Sequence, residues 1–200
     1  MVFADEIGAS TQAPVRRTWG RRGQTPLIAL SRKRRRRMNA SGWLCVNPAD
    51  GRVRLVYTAQ RDSLTQYEVP DLISRVHSQL KAPVVLVWDN HSSHTARWVS
   101  RELAGRAWLS VVHLPKYAPE LNPVETLWAH LKDHLANRAF RSLEELEELE
   151  ELERVMRSHL RSVQRRPGLL HGFIRSVGLD PCPIPSNTSS KISSLSSSDT

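Results

Sequence analysis

Apolar runs alternate with polar, turn-rich segments along the first two thirds of the chain. The most apolar run, Ala82–Asn90, is rich in β-branched residues and ends in Asp-Asn, which is typical of a strand buried on both faces. Asn39–Val46 and Val53–Ala59 predict two more strands, because the NPADG sequence between them has the composition of a hairpin turn. Val2–Phe3 predicts only the remnant of a strand, cut short by the start of the chain.

Helical periodicity separates these strands. Asp62–Leu80 keeps an apolar face at helical spacing, and Pro70 indicates that the helix begins or kinks there. His94–Gly105 predicts another helix, and Leu109–Leu114 predicts a further short strand. This order of elements favours the α/β class, with a mixed sheet covered by helices.

The last third of the chain has a different composition. Ser142–Arg166 has high helical propensity, and the leucines of its Glu/Leu run recur every three residues. A three-residue repeat drifts around a helix and is not a coiled-coil heptad, so we interpret the run as a low-complexity expansion in a solvated helix. Pro181–Thr200 is rich in Ser and Pro, which predicts disorder. The expected units are a domain over residues 1–140, a helical extension over 141–180 and a tail over 181–200.

The charge of the chain suggests its partner. The net charge is +9 and the isoelectric point is about 10.4, although Glu144–Glu153 alone contains seven glutamates. Such a basic surplus favours a polyanionic partner, most often nucleic acid; general solubility is the alternative. The apolar run Ala82–Trp88 is too short to cross a bilayer, and no signal-peptide pattern opens the chain, so no membrane partner is expected. Cys45 and Cys182 suggest neither a disulfide framework nor a zinc site, which favours a reducing compartment.

Leu114–Lys132 joins a proline-rich loop to a helix. Three prolines in its first ten residues restrict the loop, and a helical pattern without further breakers follows. Asn122 can cap that helix, and Pro123 suits its first turn. Glu125 is therefore held on a rigid helix whose apolar stripe packs against the rest of the domain.

Three carboxylates can meet in a sheet of this kind. Asp89 ends the central strand, at the edge where α/β sheets bind ligands, and Asp5 is placed similarly if its strand is the neighbour. Together with Glu125 they would repel one another unless a hard divalent cation such as Mg²⁺ or Mn²⁺ were bound. Two such ions about 3.5–4 Å apart can catalyse phosphodiester cleavage. Taken alone, Asp5 is more often a turn or surface residue and Glu125 a charge at a helix N-terminus. Asp89 is harder to explain in this way, because an aspartate that ends a buried strand is often functional.

Three segments resemble the catalytic domain of mariner-like insertion-sequence transposases, which belong to the DDE endonucleases. They are FADE at 3–6, VVLVWDNHSSHTA at 84–96 and LPKYAPELNPVETLWAHLK at 114–132, and WGRRGQTP at 19–26 is also similar. The resemblance implies a ribonuclease H-like fold in which Asp5, Asp89 and Glu125 are the catalytic and metal-binding residues. It further implies Mg²⁺- or Mn²⁺-dependent DNA cleavage at transposon ends and strand transfer, with no covalent enzyme–DNA intermediate.

The chain also departs from this family. Lys116 stands where the family usually has a second proline, and the Glu/Leu run has no counterpart. The family carries helix-turn-helix domains before the first acid, so we expect an upstream half encoded in another frame, or a decayed fragment. By the resemblance, the active form is a homodimer acting on transposon ends and target DNA in the cytoplasm, at the nucleoid. The alternatives are a non-catalytic DNA-binding remnant and another ribonuclease H-like nuclease.

Further residues are predicted to support this chemistry. His91 and His94 form only an HxxH pair, which is weak for zinc, and contact with DNA or support of the carboxylates is favoured. The basic run RKRRRR at 32–37 could contact phosphates, act as a nuclear signal or form a solvated loop. The expected DNA contacts are Arg21, Arg22, Lys33, Arg34, Arg35, His91, His94, Lys116 and Lys132. The residues expected to support the carboxylates are Asn90, Asn122 and Trp128.

Overall fold

The structure is a computed structural model that describes residues 1–12, 14–17, 19, 21–23, 36–138 and 145–181. Its strands are β1 (Val2–Ser10), β2 (Arg37–Val46), β3 (Val53–Gln60), β4 (Val84–Trp88) and β5 (Leu109–His113). Its α-helices are α1 (Val69–Leu80), α2 (Ser92–Thr95), α3 (Arg97–Ala104), α4 (Pro123–Leu135), α5 (Glu145–Gln164) and α6 (Pro167–Arg175), with a 3₁₀ turn at Pro119–Leu121. The helix predicted over Asp62–Leu80 begins at Val69 and has Pro70 in its first turn, which is a position that suits proline.

The five strands form one mixed sheet in the order β3-β2-β1-β4-β5. The pairs β1–β2 and β2–β3 are antiparallel, whereas β1–β4 and β4–β5 are parallel. The predicted mixed sheet with flanking helices is therefore confirmed. Of the helices in the described part of the chain, none is both long and apolar enough to cross a membrane.

The first strand differs from its prediction. β1 is not a remnant: it has nine residues, all paired with β2 from Val2 opposite Cys45 to Ser10 opposite Arg37. Asp5 consequently lies in the middle of a strand and not after its end. The prediction failed because Asp5 and Glu6 interrupt the apolar run, while pairing with the long neighbour β2 continues through them.

Side chains on the two faces of the sheet form two separate cores. The face that includes Phe3 and Leu44 packs against α4, α5 and α6. The opposite face, which includes Val2, Trp43 and Trp88, packs against α1 and α3. Alternation along β1 therefore assigns Asp5 to the α4 face and Glu6 to the α1–α3 face.

Helix α5 is less solvated than its sequence suggests. Leu149 and Leu152 of the Glu/Leu run are buried, and Met156 and Leu160 continue the same face at helical spacing. These residues belong to the core cluster that also contains the sheet and α4. The interpretation of the run as a mainly solvated expansion is corrected at these two leucines. Leu143 and the predicted tail from residue 182 onwards lie outside the residues that the structure describes.

Candidate active site

Asp5 and Asp89 lie on neighbouring parallel strands. Val2 pairs with Leu86 and Phe3 with Val87, so continuing this register sets Asp5 beside Asp89. Both acids continue the series of residues that face α4. The sheet therefore brings together two carboxylates that are 84 positions apart in sequence.

The N-terminus of α4 is tied directly to β1. The Asn122 side chain accepts a hydrogen bond from the Val124 backbone N–H (3.2 Å) and donates one to the Ala4 carbonyl (3.0 Å). Asn122 is 3% exposed, so both bonds are shielded from water. The predicted cap is confirmed. The bond from Asn122 to Ala4, the residue before Asp5, also ties the first turn of α4, which carries Glu125, to β1.

All three acids line one open cleft of about 440 Å³. The proline-framed loop from Pro115 to Pro119 lines the same cleft. The loop and the carboxylates therefore enclose one space. The three acids therefore line one cleft, and their shared role in metal binding and catalysis stays a prediction.

Burial and mutual repulsion perturb the most enclosed of these acids. Burial, together with the negative charges of Glu125, Glu6 and Asp89, raises the pKa of Asp5 to about 7, although a hydrogen bond from the backbone N–H of Glu6 opposes the shift. Asp5 therefore holds a proton near neutral pH when no cation balances the cleft. A divalent cation would relieve the same repulsion, because it removes the cost of gathering like charges.

The side chains of the cleft offer oxygen ligands, the type that hard cations prefer. Carboxylate oxygens suit Mg²⁺ and Mn²⁺, and the cleft leaves room for water and phosphate oxygens to complete the coordination. Within the described residues, however, no three acidic, histidine or cysteine side chains stand close enough together to hold one ion. Asp5, Asp89 and Glu125 are thus potential ligands in a shared cleft and not a closed coordination set.

One oxygen of Asp89 is already engaged by the protein. Oδ1 accepts hydrogen bonds from Nδ1 of His94 (2.7 Å) and from the backbone N–H of His91 (3.0 Å). On the other side of the imidazole, Nε2 lies 3.3 Å from Oε1 of Glu6. Burial alone would lower the pKa of His94, but the two carboxylates outweigh it and raise that pKa.

Comparison with known proteins identifies the family. Residues 1–147 match the family model described as DDE superfamily endonuclease. The chain belongs to the DDE endonuclease superfamily. A comparison with curated proteins found no match.

Solved structures support the fold. The Mos1 transposase paired-end complex with left transposon end is 19% identical (TM-score 0.63), and the match covers 88% of this chain and 51% of that one. The Mos1 mariner paired end complex with Mn is 19% identical (TM-score 0.61), and the match covers 88% of this chain and 51% of that one. The Mos1 Strand Transfer Complex is 21% identical (TM-score 0.53), and the match covers 89% of this chain and 54% of that one. The chain thus spans about half the length of these relatives. The expected ribonuclease H-like fold of this DDE protein is confirmed.

The DDE cleft is braced at two further points. The Asn90 side chain donates a hydrogen bond to the Leu114 carbonyl, which joins the end of β4 to the start of the proline-framed loop. Trp128 is 1% exposed and packs one turn beyond Glu125, against Gly42 of β2. Both residues therefore fix elements that carry parts of the cleft, whereas the support of the carboxylates by Asn90, Asn122 and Trp128 stays a prediction.

The predicted DNA contacts fall into different surroundings. Lys116 and the exposed His91 line the DDE cleft, whereas Lys132, Arg21 and Arg22 are exposed outside its lining. The basic residues Lys33, Arg34 and Arg35 lie outside the described residues.

A correction concerns His94. Its side chain is only 1% exposed and faces carboxylates, so it is not available to a phosphate. Sequence reasoning also missed Glu6, whose only signal was its position next to Asp5 on an alternating strand.

Proposed function

We propose that this chain is the catalytic part of a mariner-like transposase that cleaves DNA strands at transposon ends and transfers them to target DNA. One observation carries the proposal: Asp5 and Asp89 lie at the same level of adjacent parallel strands, and Glu125 lines the same cleft. Membership of the DDE superfamily supports assigning these three carboxylates to catalysis. A site built in this way suits phosphodiester chemistry, in which little is required of the protein beyond positioning and charge.

Asp5, Asp89 and Glu125 would hold Mg²⁺ or Mn²⁺, with two ions as the proposed number. When bound, these ions supply activation of the attacking oxygen and stabilisation of the leaving oxygen. The three carboxylates would hold the ions in the cleft. Asp5 would release the proton that it retains near pH 7 when an ion binds. Lys116, which also lines the cleft, would supply a positive charge to a phosphate that enters it.

DNA is the proposed substrate. The net charge of +9 supplies sequence-independent attraction to phosphates, and the named relatives are complexes with transposon ends or strand-transfer complexes. By the family resemblance, we assign recognition of the transposon ends to an upstream helix-turn-helix half and propose a homodimer as the active form. The place of action proposed for it is the nucleoid.

The test measures metal-dependent nicking of supercoiled plasmid by the purified chain, and excision when the proposed upstream half and a donor with both transposon ends are added. Asp5→Asn, Asp89→Asn and Glu125→Gln should each abolish nicking. The matched controls Asp71→Asn and Glu102→Gln remove exposed acids on α1 and α3 and should leave it unchanged.

The choice of cation adds a second check. Mg²⁺ or Mn²⁺ should support cleavage, whereas Ca²⁺ should bind without supporting it, because its coordination is larger and looser. Nicking that persists in EDTA would exclude a metal-dependent mechanism. Nicking that persists in one of the three acid variants would exclude that residue from the mechanism. If the chain bound DNA in a salt-sensitive manner but neither nicked the plasmid nor bound Mn²⁺, it would instead be a DNA-binding remnant.

A further inference from the structure

His94 connects the two faces of the sheet at the edge of the cleft. Its Nδ1 lies 2.7 Å from Asp89 on the α4 side, and its Nε2 lies 3.3 Å from Glu6, which belongs to the opposite face. The ring stacks on Trp88 with a centroid separation of 4.2 Å and an interplanar angle of 4°. The imidazole therefore has both nitrogens engaged and its plane fixed by packing.

These contacts restrict the Asp89 carboxylate. Oδ1 receives two N–H groups, one from His94 and one from the backbone of His91. The Asp89 side chain is nevertheless 50% exposed, because its remaining surface faces the cleft. Oδ1 is therefore the Asp89 oxygen that these two residues hold in place. A carboxylate fixed in this way loses little rotational freedom when it binds an ion.

Glu6 is placed to orient His94 and not to join the cleft. It alternates with Asp5 along β1 and so lies on the α1–α3 face, and it is absent from the lining of the cleft that contains Glu125. It does line a neighbouring pocket with Asp5 and Asp89. Its side chain is 28% exposed, whereas that of His94, which it contacts, is 1% exposed.

We propose that His94 is a positioning residue that fixes the Asp89 carboxylate for cation binding, and that Glu6 acts by fixing His94. This inference rests on the proposed function, since it assigns Asp89 to a metal site. It adds two residues that do not touch the substrate, and it predicts that they act in series. Substitution of His94 or Glu6 should therefore weaken ion binding more than it lowers the cleavage rate at saturating ion.

Three variants separate the parts of this arrangement. His94→Phe keeps a flat ring to stack on Trp88 but removes both N–H contacts. His94→Asn restores an amide N–H at the position facing Asp89 but cannot reach Glu6. Glu6→Ala leaves His94 with its contact to Asp89 alone.

The measurement is Mn²⁺ binding to the purified chain by isothermal titration calorimetry, with plasmid nicking at increasing Mn²⁺ as a second readout. His94→Phe should weaken Mn²⁺ binding by about 10–100-fold, as removal of such supporting contacts typically does. His94→Asn should recover most of that loss. In nicking assays, the Mn²⁺ concentration for half-maximal rate should rise while the rate at saturating Mn²⁺ falls much less.

The double variant decides whether the two residues act in series. Glu6→Ala should weaken Mn²⁺ binding on its own but have no further effect when added to His94→Phe. An equal further loss in that background would mean that Glu6 acts on the ion directly, and Mn²⁺ binding by His94→Phe as tight as that of the unchanged protein would also overturn the proposal. Absence of Mn²⁺ binding by the unchanged protein would refute the metal site itself, and with it this inference.

A readout without metal tests the geometry independently. In the metal-free protein, the Nδ1–H of His94 should give a slowly exchanging imidazole signal in ¹H–¹⁵N NMR spectra, because the ring is buried. The signal should broaden into rapid exchange in Asp89→Ala and persist in Glu125→Gln. Its absence from the unchanged protein would show that His94 does not hold Asp89.

Discussion

The indole ring of Trp128 packs directly against the backbone of Gly42, which lies opposite Asp5 in the β1–β2 pair. A Cβ atom at position 42 would stand 2.7 Å from Cη2 and 2.8 Å from Cζ2 of Trp128. Such distances are too short for a real contact, so only glycine permits α4 to approach β2 this closely. The position of Glu125, one turn before Trp128, depends on that approach.

Gly42→Ala should lower the free energy of unfolding by about 1–3 kcal/mol, the usual cost of overpacking a core. It should also reduce nicking, because displacement of Trp128 moves the helix that carries Glu125. Urea unfolding measures the first effect. As a matched control, Gly172→Ala in α6 meets nothing within 4 Å and should leave stability unchanged or increase it. Equal stabilities for both variants would mean that the packing at Gly42 is not tight.

Asn122 makes two buried hydrogen bonds whose contributions can be separated. Asn122→Ala loses both the cap on α4 and the bond to Ala4, and should cost about 1–3 kcal/mol of unfolding free energy. Asn122→Ser retains a capping oxygen but not the donor, so it should lie between the alanine variant and the unchanged protein. Urea unfolding of the three proteins checks this order. If Ser and Ala destabilise equally, the cap contributes nothing.

Asp5 should make the stability of the metal-free folded protein depend on pH. Its pKa is raised from 3.8 to about 7 in the folded protein, so between these values the folded state holds a proton that the unfolded state has lost. Stability is therefore fully present below about pH 4 and falls as the pH rises through 7. Without metal, Asp5→Asn should raise the melting temperature at pH 8 and have a much smaller effect at pH 4. Thermal unfolding at both values tests this, and the same gain at both would contradict it.

Three histidines meet where α4 and α5 pack together. Nδ1 of His130 lies 2.9 Å from Nε2 of His159, and the ring of His134 stacks on His159 with centroids 3.9 Å apart. Burial, together with the charges of His134, His130, Arg166 and Arg138, lowers the pKa of His159 to about 4.

This cluster should make the fold sensitive to acid. The unfolded state takes up a proton on His159 near pH 6.5, whereas the folded state resists until about pH 4, so stability falls as the pH drops through this window. His159→Gln should reduce the loss of melting temperature between pH 7.5 and pH 5. His171→Gln, on α6 and outside the cluster, is the control and should keep the loss of the unchanged protein. An unaltered pH dependence in His159→Gln would exclude this residue as the cause.

Local patterns in the sequence were sufficient for several elements. The apolar run before Asp89 predicted β4, and the proline-rich segment predicted the cap and the start of α4, because both depend on residues within one turn or one strand. The three acids could be proposed together from the family resemblance of their motifs. The leucines of the Glu/Leu run could not be assigned, since burial of Leu149 and Leu152 depends on what α5 packs against.

What the sequence by itself determined was which short segments form strands, turns and capped helices, and that Asp89 directly follows β4. Tertiary structure decided the length of β1, because its central residues are held by hydrogen bonds to β2 and not by their own propensity. It also decided the surroundings of His94, for which the sequence left contact with DNA or support of the carboxylates open, by burying the ring between Asp89 and Glu6. A buried imidazole requires partners from distant segments, and strand register, which no local pattern specifies, brings those partners together.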